Sequence, residues 1–183
     1  MSASTKWLIG EITLIAVSST VMGIFGYPLL FPYGWHVFLH VLGAVLFMGN
    51  IIVSALWMIA AEQSGERAAL RFAAGALNWA DVFFTAPGIF LLLLNGFILS
   101  YAAWGGLTQG WIVLSLGLFI LSGVIWAVFL IPLQARLIRL SSQTDSLPIA
   151  FFSDLRRWYF WGAAATLTPL ASLFLMVFKP QLW

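Results

Sequence analysis

The chain has 183 residues, of which 62% are hydrophobic and only 8% are charged. A soluble domain carries roughly 25% charged residues, and eight basic plus six acidic side chains cannot cover a soluble core of this size. The net charge of +2, with no basic cluster larger than the pair Arg156 and Arg157, excludes a nucleic-acid-binding protein. The absence of cysteine excludes disulfides, thiolate metal sites and covalent c-type haem attachment.

Five apolar stretches follow one another along the chain, each near the roughly 20 residues that cross a bilayer. Their limits are 7–26, 35–61, 77–103, 110–134 and 157–178. Two of the segments between them are polar, residues 62–71 and residues 136–157, and are predicted as loops. The sequence therefore predicts an all-α membrane protein, a single transmembrane domain over residues 1–183 in which one N-terminal helix joins a core of four helices.

Nearly all basic residues fall on one side of this arrangement. Lys179 lies on the other side, and the remaining basic residues are Lys6, Arg67, Arg71, Arg136, Arg139, Arg156 and Arg157. Because basic residues accumulate in cytoplasmic loops, this asymmetry predicts a cytoplasmic N-terminus and a periplasmic C-terminus in a bacterial inner membrane. Aromatic residues mark membrane interfaces, and they place the outer interface at Trp35, Trp104, Trp111 and Trp183.

Small residues and prolines indicate how the helices pack. Gly43 and Gly49, on the second predicted helix, belong to the small residues that permit close approach of two helices. Pro87, Pro132 and Pro169 each free a backbone carbonyl inside a predicted helix. We therefore expect kinks at these prolines, with nearby threonine hydroxyls compensating for the lost hydrogen bonds.

Two histidines lie near the outer end of the second helix, and an ionisable residue within a membrane is a functional candidate. His36 and His40 are four residues apart and share one helix face. Three interpretations remain open: a haem ligand, a copper or zinc ligand, or an interfacial side chain bonded to water and carbonyls. Two histidines on one face cannot occupy opposite axial positions of one haem, and His40, one turn deeper and followed by small residues, is the better candidate.

Other candidate ligands are predicted at a similar depth on other helices. Met22 or Met176 is suited to complete a His/Met haem site, and Lys179 is suited to ligate the iron or to pair with a haem propionate. A site built from His36, His40 and a methionine would suit Cu(I), because imidazole and thioether groups bind that ion. The sequence thus predicts haem b as cofactor, with copper as the alternative.

Asp81 is predicted near the inner end of the third helix. Charged residues at helix ends usually pair or extend toward water. We therefore expect Asp81 to pair with Arg71, Arg136 or Arg156. Such an ion pair would lock the third helix to its neighbours, and we favour this structural role over proton transfer.

Three segments carry a resemblance to known families: residues 40–57, 71–97 and 117–137. They resemble the bacterial DUF2269 membrane proteins, and Gly49–Asn50 after the histidine helix is the most specific feature. More distantly, the layout resembles the HemJ-type protoporphyrinogen oxidases and the CopD-type copper resistance proteins, and it implies that His40 matches the haem-linked histidine of HemJ. The lysine that HemJ-type proteins carry after a GW pair corresponds to Ser115 here, so protoporphyrinogen oxidation is not implied.

The sequence therefore favours a membrane protein that binds haem b near the periplasmic side and serves electron transfer or porphyrin redox chemistry. The alternatives are a copper-handling protein and a cofactor-free accessory or assembly subunit of a membrane complex. The expected partners are the lipid bilayer, a redox partner or complex subunits, and further copies of the chain, but no nucleic acid. No phosphate-binding loop, catalytic triad or zinc-protease motif is present in the sequence.

Overall fold

A computed structural model describes residues 3–25, 29–143 and 147–183. Within these ranges the chain forms five helices and no strand. They are α1 (Ala3–Phe25), α2 (Tyr33–Gln63), α3 (Arg67–Trp104), α4 (Gly110–Ser142) and α5 (Ile149–Phe178). The last four are long and apolar enough to cross a membrane, which confirms the predicted class of all-helical, multi-pass membrane protein.

The break between α2 and α3 is shorter than the polar sequence 62–71 predicts. α2 ends at Gln63, and α3 already begins at Arg67. The first turns of α3 are amphipathic, with Leu70 buried against the bundle and Arg71 exposed. Hydropathy detects only the apolar middle of such a helix and misses its amphipathic extension.

The sequence 136–157 is likewise predicted as a loop but is mostly helical. α4 continues through its first part, and α5 begins at Ile149, directly after Pro148. On the extension of α4, Leu137 is buried and Arg139 is exposed. One face of each extension therefore packs on the bundle, which keeps these polar segments helical.

α3 and α4 each contain one turn of π-helix, spanning Asp81–Thr85 and Trp126–Leu130. Each turn ends with an amide that donates to the carbonyl five residues earlier. A proline follows each turn at the same spacing, Pro87 in α3 and Pro132 in α4. Because the proline ring crowds the carbonyl four residues before it and supplies no N–H, the widened turn relieves this conflict.

α2 and α3 run antiparallel and touch backbone to backbone. A Cβ on Gly43 would lie 2.7 Å from the carbonyl oxygen of Gly88 and 2.7 Å from the amide nitrogen of Leu92. A Cβ on Gly88 would lie 2.9 Å from the carbonyl oxygen of Gly43. Only glycine permits this approach. The predicted close approach is confirmed at Gly43, whereas a Cβ on Gly49 would meet nothing within 4 Å.

Hydroxyl groups join α4 to α5. Pro169 lies inside α5 and leaves the carbonyl of Ala165 without a helical donor. Ser122 Oγ donates a hydrogen bond to this oxygen at 2.6 Å. A second hydrogen bond joins the same two helices: Ser172 Oγ of α5 donates to the carbonyl oxygen of Ser115 of α4 at 2.9 Å. Polar atoms buried between the two helices are thus satisfied across their interface, as a lipid environment requires.

The two ends of the bundle differ in composition. The arginine end carries Arg67, Arg71, Arg136, Arg139, Arg156 and Arg157, and the opposite, tryptophan end carries Trp35, Trp104, Trp111 and Trp183. At the arginine end, Asp154 of α5 lies 2.9 Å from Arg136 Nε of α4. There too, Tyr159 donates its hydroxyl to Glu62 of α2 at 2.8 Å. These contacts tie α5 to both α4 and α2.

The contact of α2 with α3 yields a stability prediction. Replacing Gly43 by Ala pushes a methyl group into the backbone of α3, and we expect the free energy of unfolding to fall by about 1–3 kcal/mol, as in other overpacked interfaces. The measurement is unfolding of the purified protein in mixed micelles. Gly49→Ala is the matched control on the same helix and should leave stability unchanged or slightly higher. Equal effects of the two substitutions would contradict the backbone contact.

Candidate functional site

A cavity of about 620 Å³ lies in the half of the bundle next to the tryptophan end, and we call it the tryptophan-end cavity. Its walls come from α2, α3, α4 and α5 and are largely apolar. Three of the predicted ligands, His40, Met176 and Lys179, line it together. Its volume lies within the roughly 300–1,000 Å³ typical of cofactor and small-molecule sites.

The ring of His40 is held in one orientation by α3. His40 Nδ1 lies 2.9 Å from the carbonyl oxygen of Leu92, and since a carbonyl only accepts, Nδ1 carries the proton. Gly96 makes room for the ring, because a Cβ there would lie 3.0 Å from His40 Cε1. Nε2 accepts no hydrogen bond from any described residue, and His40 lines the cavity, so this nitrogen is available to a ligand. Metal-binding histidines typically show this arrangement.

Both ring nitrogens of His36 are already engaged. Its side chain is only 1% exposed, and Nδ1 lies 2.8 Å from Asn95 Oδ1. Asn95 donates its amide N–H to the carbonyl of Leu91, which leaves its oxygen to accept from His36. His36 Nε2 then accepts from the backbone N–H of Phe31 at 3.3 Å. His36 thus fastens the segment before α2 to α3, and binding a metal would break one of these bonds.

Lys179 stands at the mouth of the tryptophan-end cavity. It ends α5 in the left-handed conformation with φ of 46°, and its amide donates to the carbonyl of Leu175. Its Nζ lies 5.3 Å from the ring centre of Trp104 and 5.7 Å from that of Trp111, within the range of cation–π attraction. A cation is therefore fixed beside an otherwise apolar cavity.

Of the two methionines predicted as ligands, the structure describes the side chain of only one. Met176 lines the tryptophan-end cavity with His40. Met22 lies in α1, outside the residues whose side chains the structure describes. Among the described residues, no group of three or more histidine, aspartate or glutamate side chains is arranged to hold a metal ion. A metal in the tryptophan-end cavity would thus rely on His40 and on ligands other than carboxylates.

A second polar centre surrounds Asp81, which is only 7% exposed. Its Oδ1 accepts hydrogen bonds from Thr85 Oγ1 at 2.8 Å and from Asn50 Nδ2 at 3.1 Å. Its Oδ2 accepts from Gln134 Nε2 at 3.0 Å and from Trp126 Nε1 at 3.4 Å. The donors come from α2, α3 and α4, so one carboxyl group joins three helices. Asp81 opens the π turn of α3, and Trp126 opens that of α4.

This arrangement differs from the ion pair expected for Asp81. These four donors are all neutral, while Arg136 contacts Asp154, and Arg71 and Arg156 are exposed. The physical reason is depth. Asp81 follows the 14 residues of Arg67–Ala80, which at 1.5 Å per residue places it roughly 20 Å along α3. The arginines remain at the end of the bundle, where water can solvate them.

The sequence reasoning missed Gln134 and Trp126 as partners of Asp81. Gln134 stands at the predicted end of the fourth helix, and Trp126 is one aromatic residue among many. One signal was present: a proline follows Asp81 and Trp126 at the same distance, at Pro87 and Pro132. The partner that orients His40 is the backbone carbonyl of Leu92, and the sequence does not reveal a contact made by a backbone group.

Comparison with known protein families identifies the family to which the helical core belongs. Residues 34–180 match the family described as predicted integral membrane protein, DUF2269. The chain belongs to the DUF2269 family. No curated protein and no solved structure matches it. The matched DUF2269 region contains α3 to α5 and all of α2 except its first residue, and hence His40, Asp81 and every donor to Asp81, whereas α1 precedes it.

The cluster around Asp81 can be tested through Asn50. Asn50 Nδ2 reaches both Asp81 and Thr85, and Ser54 Oγ donates to its Oδ1, which fixes the direction of the amide. We expect Asn50→Ala to lower the free energy of unfolding by about 1–3 kcal/mol, because buried acceptors lose a donor. Mixed-micelle unfolding is the measurement, and Ser142→Ala, an exposed hydroxyl bonded within its own helix, is the control.

A double-mutant cycle separates this contact from a general effect. Asn50→Ala combined with Thr85→Val should give a coupling energy of about 0.6 kcal/mol, the average for hydrogen bonds between membrane helices, and at most about 1.7 kcal/mol. Strict additivity of the two substitutions would contradict the hydrogen bond between Asn50 and Thr85.

Proposed function

We propose that this protein binds haem b in the tryptophan-end cavity, where His40 Nε2 would hold the iron, and that it serves electron transfer or porphyrin redox chemistry. The single observation that carries the proposal is the state of the His40 ring. Its Nδ1 proton is donated to the Leu92 carbonyl, Nε2 has no hydrogen-bond partner among the described residues, and His40 lines the cavity. A half-buried histidine with one nitrogen oriented and the other without a partner is suited to bind iron.

The remaining walls fit a flat, largely apolar macrocycle with two carboxylates. Ala44 and Met176 line the cavity together with His40, and the thioether of Met176 would be suited to serve as a further ligand of the iron. Lys179 offers a cation at the mouth for a propionate. Bound haem b supplies one-electron exchange, and the chain's part is to orient the ligand, exclude water and neutralise the propionate.

The proposal also includes the orientation of the helices across the membrane. We propose five membrane spans, with the arginine end in the cytoplasm and the tryptophan end at the periplasmic face of a bacterial inner membrane. The distribution of basic residues between the two ends supports this orientation. The cofactor would then lie close to the periplasm, within reach of a redox partner there. The distant likeness of the layout to HemJ-type and CopD-type proteins is consistent with haem or metal chemistry on this side.

Haem reconstitution of the purified protein tests the proposal. We expect a Soret band at about one haem per chain, its loss in His40→Gly, and its recovery when imidazole is added to fill the space of the missing ring. His36→Gln is the control, because both ring nitrogens of His36 already form hydrogen bonds within the protein. It should retain the band.

Three outcomes would contradict the proposal. The first is an absent Soret band in the reconstituted protein, and the second is an unchanged band in His40→Gly. The third is bound copper that is lost in both His36→Gln and His40→Gly, which would favour the copper-handling alternative. A stoichiometric partner subunit, together with full function of His40→Gly in cells, would instead favour an accessory role.

A further inference from the structure

A second and larger cavity lies in the other half of the bundle, between the middle and the arginine end. It measures about 1100 Å³, all five helices contribute to it, and we call it the arginine-end cavity. Phe47 and Phe119, whose ring centres are 5.3 Å apart, line both cavities and separate them. The haem proposed above does not use this space.

The arginine-end cavity opens toward the lipid. Several of its lining residues are more than half exposed on the outside of the bundle, among them Ile120, Val128 and Leu167. Its inner wall is mostly aliphatic and aromatic, with Trp126, Trp158 and Tyr159 contributing rings. An occupant that enters from the bilayer is therefore lipid-soluble.

Two buried polar atoms in this wall have no partner among the described residues. They are Gln134 Oε1, an acceptor, and Trp158 Nε1, a donor. The residues are only 5% and 6% exposed, respectively. The amide of Gln134 cannot turn to use its oxygen elsewhere, because its Nε2 donates to Asp81. Unsatisfied polar groups are costly inside a membrane protein, so each of these two atoms requires a partner that the described residues do not supply.

Hydrogen-bonding capacity narrows the chemistry of this ligand. A hydroxyl group both donates, as Gln134 Oε1 requires, and accepts, as Trp158 Nε1 requires. An ammonium group donates only and would leave Trp158 unsatisfied, while a carbonyl or ether accepts only and would leave Gln134 unsatisfied. The aromatic side chains of the wall favour a ring beside the hydroxyl.

We propose that the arginine-end cavity binds a lipid-soluble molecule with an aromatic hydroxyl head, the chemical class of long-chain alkylphenols and membrane hydroquinones. Gln134 Oε1 accepts the hydroxyl proton in a hydrogen bond, and Trp158 Nε1 donates to the hydroxyl oxygen. Asp81 acts as a positioning residue, because it fixes the amide of Gln134 through Nε2. The apolar tail leaves the bundle between the exposed side chains of α4 and α5.

Titration calorimetry of the purified full chain in maltoside micelles tests this site. The probe is 4-nonylphenol, compared with its methyl ether, which cannot donate, and with nonylammonium, which cannot accept. We expect saturable binding of one 4-nonylphenol per chain and binding about tenfold weaker for the ether, the loss expected when a buried acceptor stays unpaired. Nonylammonium should also bind about tenfold more weakly.

Two variants with matched controls locate the site. Gln134→Leu and Trp158→Phe should each weaken binding of 4-nonylphenol about tenfold. Gln181→Leu and Trp35→Phe make the same chemical changes at exposed positions near the tryptophan end and should leave binding unchanged. In Gln134→Leu the difference between the phenol and the ether should disappear, because the acceptor that tells them apart is gone.

The result that would overturn the proposal is equal binding of phenol and ether to the unaltered protein, or unchanged binding in both variants. Tighter binding of nonylammonium would also overturn it and would indicate a cationic ligand. An unchanged gel-filtration profile and unfolding transition of Trp158→Phe in micelles separate this outcome from a folding defect. The Soret band of the unaltered protein reports separately on the haem proposal, which concerns the other cavity.

Discussion

The contact between Gly43 and Gly88 determines how α2 and α3 meet, and both polar centres depend on it. With the two backbones in contact, the antiparallel helices place three polar residues of α2 opposite partners on α3. On the side of the tryptophan end, His40 meets the Leu92 carbonyl and His36 meets Asn95. In the other direction, Asn50 meets Asp81 and Thr85. Without hydrophobic attraction between helices in lipid, close packing and such hydrogen bonds hold the pair together.

The same register divides the interior into two cavities with different chemistry. Counting only the described residues, the tryptophan-end cavity combines one imidazole nitrogen that has no hydrogen-bond partner with a cation at its mouth, whereas the arginine-end cavity combines a hydrogen-bonded carboxyl group with an acceptor and a donor that have no partner. Phe47 and Phe119 stand between them. The π turns that begin at Asp81 and Trp126 belong to the second cavity, so the irregular backbone of α3 and α4 coincides with the most polar part of the core.

Composition and hydropathy were enough to predict the helical membrane class. Of the small residues after His40, Gly43 marks the close contact of α2, whereas Gly49 does not, so the small residues alone did not locate it. The ends of the helices were less predictable, because amphipathic turns such as the one around Leu70 and Arg71 read as polar loops. The partners of Asp81 were also beyond the sequence. Charge complementarity favoured arginine, but depth in the membrane decides against it, and depth follows from a helix start at Arg67 that hydropathy does not detect. The carbonyl that orients His40 belongs to a leucine, and a backbone group leaves no mark in the sequence.

The account rests most heavily on the claim that the glycine contact leaves His40 Nε2, and no other histidine nitrogen, available to a haem iron. The chain contains only two histidines, so ¹⁵N-histidine labelling followed by pulsed electron paramagnetic resonance of the ferric haem complex tests it directly. The account predicts a directly coordinated ¹⁵N imidazole signal that persists in His36→Gln and disappears in His40→Gln. A signal that persists in His40→Gln, or that disappears in a folded His36→Gln protein, would contradict it.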